Sequence, residues 1–130
     1  MQDISRYARQ IAVPPIGIEG QVRLCEASIL IVGVGGLGCQ VASLLCGAGV
    51  GNITIIDHDS VDQSNLHRQQ LFREKDIGKS KAKIAQRELS AINSSVNVTA
   101  ISERLSPRNV RSLCKQSTLV IDSADNFATS

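Results

Sequence analysis

Four kinds of residue in this chain could act together on a phosphorylated ligand. The first is a glycine series, Gly33, Gly35, Gly36 and Gly38, in Gly33-Val-Gly-Gly-Leu-Gly38. Glycine lets the backbone approach a ligand that a Cβ would hold off. A helix starting near Gly36 would aim free N–H groups and a partial positive charge at a phosphate. The second kind is acidic. Asp57 and Asp59 follow the glycines at about twenty positions, where a carboxylate can accept hydrogen bonds from ribose hydroxyls. The third kind is cationic or amide-bearing. Arg68 can grip phosphate oxygens with a planar fork and Lys81 can add a point charge, with Asn65 and Gln69 in the same stretch. The fourth is Asp125-Asn126, whose Asp125 can hold a magnesium ion through oxygen. Cations and magnesium would offset charge on a leaving pyrophosphate. No carboxylate–His–Ser set accompanies them, and His58 and His67 read as ordinary loop histidines. On pattern alone an ATP site and a dinucleotide site stand level, because the Gly33-to-Asp57 spacing also suits NAD.

These residues need elements to bring them together. Two short, mostly apolar runs bounded by turn residues, Ser28–Val32 and Asn52–Ile56, predict buried parallel strands. Further strands are expected over 96–101 and 118–121. Helices are expected over 36–47, over 78–93 with Ala82, Ile84, Ala85, Leu89 and Ile92 as its apolar face, and over 107–115. Two short helices precede them. One runs over 3–11, with Asp3 or Ser5 as cap, and stops at Pro14-Pro15; the other runs over 17–27, with Ile18, Val22, Leu24 and Cys25 as apolar contacts. Strands alternating with helices give an α/β class: a Rossmann-like, mostly parallel sheet with helices on both faces. In such folds ligands bind beyond the C-terminal ends of the strands, where the glycines, Asp57, Asp59 and Asp125 all fall. The polar stretch from Asp57 through Lys75 is long for a strand-to-helix connection, which marks it as functional. The expected organisation is a helical segment over 1–27 and a nucleotide-binding core over 28–130. Ser130 falls just after a strand, inside what reads as the next functional loop. The core is therefore expected to be incomplete at its C-terminus and the chain to be part of a longer protein.

Composition narrows the class. Aromatic residues are only 2% of the 130, so the core must be aliphatic, as suits a parallel sheet. A net charge of +2 is too small to argue for nucleic acid or a membrane surface. No apolar run approaches the ~20 residues that cross a bilayer. The polar N-terminus lacks a signal-peptide core, so a cytoplasmic location is expected. Cys25, Cys39, Cys46 and Cys114 show no CxxC spacing, and read as buried small apolar residues.

The ordered series Arg6-Tyr-Ala-Arg-Gln10, Gly33-Val-Gly-Gly-Leu-Gly38, Gly47-Ala-Gly-Val-Gly51, Asp57-His-Asp59, Ser64-Asn-Leu-His-Arg-Gln69, Gly78-Lys-Ser-Lys81 and Asp122-Ser-Ala-Asp-Asn126 resembles the MoeB/ThiF family. These are bacterial adenylyltransferases related to ubiquitin-activating enzymes. The resemblance implies ATP and Mg²⁺ as ligands and a ubiquitin-like sulfur-carrier protein as partner, of the molybdopterin or thiamine type. The carrier's C-terminal glycine carboxylate would attack the α-phosphate, form an acyl-adenylate and release pyrophosphate. It further implies that Gly36 lies against the nucleotide, that Asp57 binds the ribose, and that Asn65, Arg68 and Lys81 contact the phosphates. Asp125 resembles the family's magnesium and catalytic aspartate. Arg9 resembles an arginine that reaches the ATP of the partner subunit, which implies a homodimer. Lys79 beside Lys81 leaves the lysine open to a second assignment. Family members continue well beyond this length, and a structural Zn²⁺ is expected only in that further half. Two other readings stay open: an NAD-binding oxidoreductase domain, which accounts for the glycines and Asp57 but not for Arg68, Lys81 and Asp125, and a non-catalytic partner subunit of an activating enzyme.

Overall fold

The computed structural model describes residues 4–13, 16–67 and 69–124. Four strands, β1 (Ser28–Val32), β2 (Asn52–Ile56), β3 (Asn97–Ile101) and β4 (Leu119–Asp122), form one parallel sheet in the order β3-β2-β1-β4. The order reverses direction between β1 and β4, which opens a crevice beyond their C-terminal ends. The first two strands have the bounds their apolar runs predict. Among the described residues five α-helices accompany the sheet: α1 (Ala8–Ile11), α2 (Gly17–Glu26), α3 (Gly36–Ala48), α4 (Lys81–Ile92) and α5 (Val110–Lys115).

The core is aliphatic and has two unequal sides. On the larger, Ile29, Ile31, Ile53 and Ile55 of the sheet meet Cys39, Ala42 and Cys46 of α3 and Ala82, Ala85 and Leu89 of α4. On the smaller, Leu30, Val32 and Ile56 meet Leu105 and Leu113, the latter from α5. Helices thus cover both faces, giving the Rossmann-like arrangement expected. No described helix is long and apolar enough to cross a membrane. The edge strand β4 is thinly covered, with Leu119 53% and Val120 41% exposed.

Several expected boundaries move, each for a local reason. The N-terminal segment is a 3₁₀ turn over Ile4–Tyr7 running into α1, with no side-chain cap on α1; Asp3 lies outside the described residues. Helix α4 starts at Lys81 rather than at 78, because Gly78 adopts φ +87° and Ser80 caps the helix by accepting from the Lys83 N–H. Residues 106–109 form a turn held by the Asn109 side chain accepting the Ser106 N–H, so α5 begins only at Val110. Ile18 of α2 and Ile92 of α4 are largely exposed, contrary to their expected core role, whereas the polar Gln21 is the buried residue of α2. Cys39 and Cys46 are buried as expected, but Cys114 is exposed.

Candidate nucleotide site

The glycine loop follows β1 at the crevice, and Gly33 and Gly38 each have a different steric reason. Gly33 takes φ +88°, and a Cβ there would lie 2.9 Å from the Ala124 Cα, so the residues after β1 and those after β4 touch backbone to backbone. A Cβ on Gly38 would collide with the Gly33 carbonyl oxygen and lie 2.7 Å from the Ser123 Oγ. Gly38 therefore lets α3 descend onto the loop, the close helix–strand approach that phosphate-binding turns need. Gly35 stands at the helix N-cap position and Gly36 opens α3. No side chain caps that first turn among the described residues, so its amide groups stay available to an anion.

Asp57, at the tip of β2, is buried beside this loop. Its Oδ2 accepts the Val34 N–H at 2.8 Å and its Oδ1 accepts the Asp59 N–H at 2.8 Å. The carboxylate ties the glycine loop to the end of the neighbouring strand, and its remaining lone pairs can take further donors. The Asp59 side chain is exposed and 3.3 Å from the His58 Nε2, which also contacts the Arg104 guanidinium. Asp57, His58 and Asp59 offer ligand atoms within 4.8 Å of one another. One nitrogen donor and an Asp57 already holding two amide N–H groups make that trio a poor match to the all-oxygen shell magnesium prefers. A nucleotide fits better: the uncapped turn, the glycine-lined approach and the buried carboxylate match phosphate and ribose in turn.

Lys81 reaches the same edge. Its backbone N–H donates to the Asp59 carbonyl at 3.0 Å, and the residue is only 5% exposed. Burial pushes the Cys39 thiol, in the first turns of α3, up to about 11. The Leu71 backbone N–H and the Lys81 charge pull it the other way. The long connection folds back over this region. Ser60 bridges to Ser80, Val61 exchanges backbone hydrogen bonds with Lys79 and Gly78, and Leu71 and Phe72 enter the core. Within it Asn65 accepts the Gln69 N–H at its carbonyl, and Gln69 is buried. Arg68, Asp125 and Asn126 lie outside the described residues.

Arg9 does not join them. It is exposed on α1, beside Gly47 near the C-terminal end of α3. The 13-residue α3 rises about 1.5 Å per residue, which sets its two ends roughly 20 Å apart. No arginine side chain spans that distance to its own glycine loop. Sequence reasoning gave Ser123 no role, yet its buried hydroxyl donates to the Gly33 carbonyl at 2.6 Å and approaches that of Val32 at 3.1 Å, bracing the loop from β4. The available signal was a hydroxyl directly after a strand at the point where strand order reverses.

Known proteins bear on this geometry. The model of the ThiF family matches residues 7–130. The sulfur carrier protein adenylyltransferase of Thermus thermophilus is 44% identical over 128 residues, covering 98% of this chain and 47% of the relative. The probable adenylyltransferase/sulfurtransferase MoeZ of Mycobacterium tuberculosis is also 44% identical over 128 residues, covering 98% of this chain and 33% of that protein. Among solved structures, the E. coli tRNA N6-threonylcarbamoyladenosine dehydratase TcdA, in complex with ATP, superposes with a TM-score of 0.85 at 30% identity over 95% of this chain and 50% of that one. The chain spans half or less of the length of these proteins. A family model covering nearly every residue, on a sheet of the same form, is sufficient: this chain belongs to the ThiF family.

Proposed function

We propose that this chain supplies the nucleotide-binding part of an enzyme that adenylates the C-terminal glycine carboxylate of a ubiquitin-like sulfur carrier, working as a cytoplasmic homodimer. The observation that carries the reading is the uncapped first turn of α3, set beside the buried Asp57 where the strand order reverses. That arrangement suits a triphosphate, and the names of the relatives supply the acceptor class. In this reading the amides after Gly35 and the Lys81 ammonium hold phosphate oxygens, Asp57 takes the ribose hydroxyls, and Asn65, Gln69 and Arg68 close over the phosphates. Asp59 and Asn126 complete the rim, with Gly33 and Gly38 setting its shape. Asp125 would hold magnesium, whose charge screens the triphosphate.

The attacking carboxylate is already ionised near neutral pH, so no general base is required. Its oxygen bonds to the α-phosphorus, the bond from that phosphorus to the bridging oxygen breaks, and pyrophosphate leaves with the electron pair. Rate then comes from alignment and charge neutralisation. The position of Arg9, far from its own glycine loop, supports a role on the nucleotide of a second copy.

The test is carrier-dependent exchange of labelled pyrophosphate into ATP, using a purified ubiquitin-fold carrier ending in glycine. Exchange that disappears in Asp125→Ala, with the circular dichroism spectrum unchanged, is the expected result. Retained exchange in that variant would remove the assignment of Asp125, and saturable NAD binding without competition by ATP would replace the whole reading with an oxidoreductase.

A further inference from the structure

The segment that carries Arg9 is fastened with unusual completeness for so short a stretch. Arg6 donates from its guanidinium to the Ile92 carbonyl at 2.6 Å, in the last turn of α4, where a cation also meets the negative end of the helix dipole. Tyr7 is 3% exposed, and its hydroxyl accepts from the Asn93 Nδ2 at 2.8 Å. Asn93 is wholly buried and donates from the same nitrogen to the Cys46 carbonyl at 3.0 Å, joining the C-terminal ends of α3 and α4. Gln10 donates to the Ala48 carbonyl at 2.8 Å and to the side-chain oxygen of Gln21, which is itself wholly buried and donates to Ala48. Gly49 makes room for this assembly: it takes φ +89°, and a Cβ there would lie 2.6 Å from the Tyr7 ring.

Residues 6, 7 and 10 are thus bound to the core, while 8 and 9 face outward. Buried hydrogen-bonded amides cost more than an aliphatic packing of the same shape when they are only partly satisfied. A four-residue helix gains little stability of its own from being held this way. What the fastening does accomplish is to fix the backbone that presents Arg9, next to a hollow of about 410 Å³ lined by Arg9, Gln10 and Gly47. We infer that Tyr7, Gln10 and Asn93 are positioning residues for Arg9, clamping α1 to the C-terminal ends of α3 and α4 so that the guanidinium projects toward a nucleotide held by a second copy of the chain. The inference rests on the proposed action of Arg9 across a homodimer.

Tyr7→Phe deletes one hydroxyl and preserves the ring, so the fold survives. It should lower kcat for carrier-dependent pyrophosphate exchange about fivefold to tenfold, the equivalent of one hydrogen bond, and leave KM for ATP unchanged. Gln10→Ala should act in the same direction. Amide hydrogen exchange over residues 5–11 should quicken in both variants, a readout independent of activity. In an Arg9→Ala background, Tyr7→Phe should cause no further loss of rate.

Mixed dimers separate the two levels of the argument. Arg9→Ala chains mixed with Asp125→Ala chains should regain exchange, because one site per hybrid then has an intact Asp125 and an intact Arg9. Failure of that mixture overturns the action across the dimer. Tyr7→Phe chains mixed with Asp125→Ala chains should regain exchange in the same way. If the first mixture recovers and the second does not, Tyr7 supports only its own chain's core and the positioning role is wrong. A Tyr7→Phe loss that adds to that of Arg9→Ala would overturn it equally.

Discussion

The two ends of α3 are built on opposite principles. At its N-terminal end the backbone donors of the first turn have no side-chain cap among the described residues, and glycines stand around them. At its C-terminal end nearly every polar group is matched: Gly49 closes the helix in a left-handed conformation, its N–H bonds to the Cys46 carbonyl, and Gln10, Gln21 and Asn93 take the Ala48 and Cys46 carbonyls. A glycine at the N-cap in place of a capping side chain forgoes only about a few tenths of a kcal/mol, but it leaves the first-turn donors open. That omission makes sense where a ligand supplies the missing partner. The satisfied end does structural work, and the unsatisfied end is where chemistry can be placed.

Substitutions at the two ends should differ in kind. The largest effect is expected from Gly38→Ala, whose Cβ meets the Gly33 carbonyl with no room to yield; it should remove measurable ATP binding in a calorimetric titration and lower the urea midpoint. Gly33→Ala should follow, costing about 1–3 kcal/mol for the left-handed backbone in addition to its contact with Ala124. At the other end Gly51→Ala, which would strike the Cys25 carbonyl, should also lower the midpoint. Folded Gly51→Ala protein should keep its affinity for ATP. Equal loss of affinity in both would erase the distinction between the ends.

Asp57→Asn should come next. The side chain must accept the Val34 and Asp59 N–H groups at once, and an amide has a single acceptor atom. One buried donor is left unpaired, at a cost of about 1–3 kcal/mol in a urea titration.

Cys39 gives a smaller, pH-dependent effect. Burial raises its thiol from an ordinary 9.0 to about 11, so the folded chain keeps a proton that the unfolded chain releases. Stability is therefore unaffected below pH 9 and falls above it, by about 1.4 kcal/mol per pH unit at most, until the folded thiol also ionises. Urea midpoints measured from pH 8 to 10.5 should decline less steeply in Cys39→Ala than in the unsubstituted chain.

Parts of this picture were legible before any coordinates. The strands β1 and β2 were, because a short run rich in isoleucine and other aliphatic residues between turn residues has few other uses. So was the meeting of the Gly33–Gly38 loop, Asp57 and Lys81 at one edge, since each follows or opens an element of a parallel sheet. The burial of Gln21 and Asn93 was not, because it depends on carbonyls at Ala48 and Cys46 that only tertiary packing brings near. The exposure of Ile18 and Ile92 was hidden for the same reason: helical periodicity indicates a face but not what covers it. The separation of Arg9 from its own glycine loop could not be read from spacing, because it is set by the length of α3 and by a clamp of residues distant in the chain.

The most direct test of the contrast is an amide chemical-shift titration with ATP and magnesium. The account predicts perturbation of Val34, Gly36, Leu37, Gly38 and Asp57, saturating together, with Gly51 and Asn97, beyond the C-terminal end of α3, unmoved. Shifts centred on Gly51 and Asn97, or none at the glycine loop at saturating nucleotide, would contradict it.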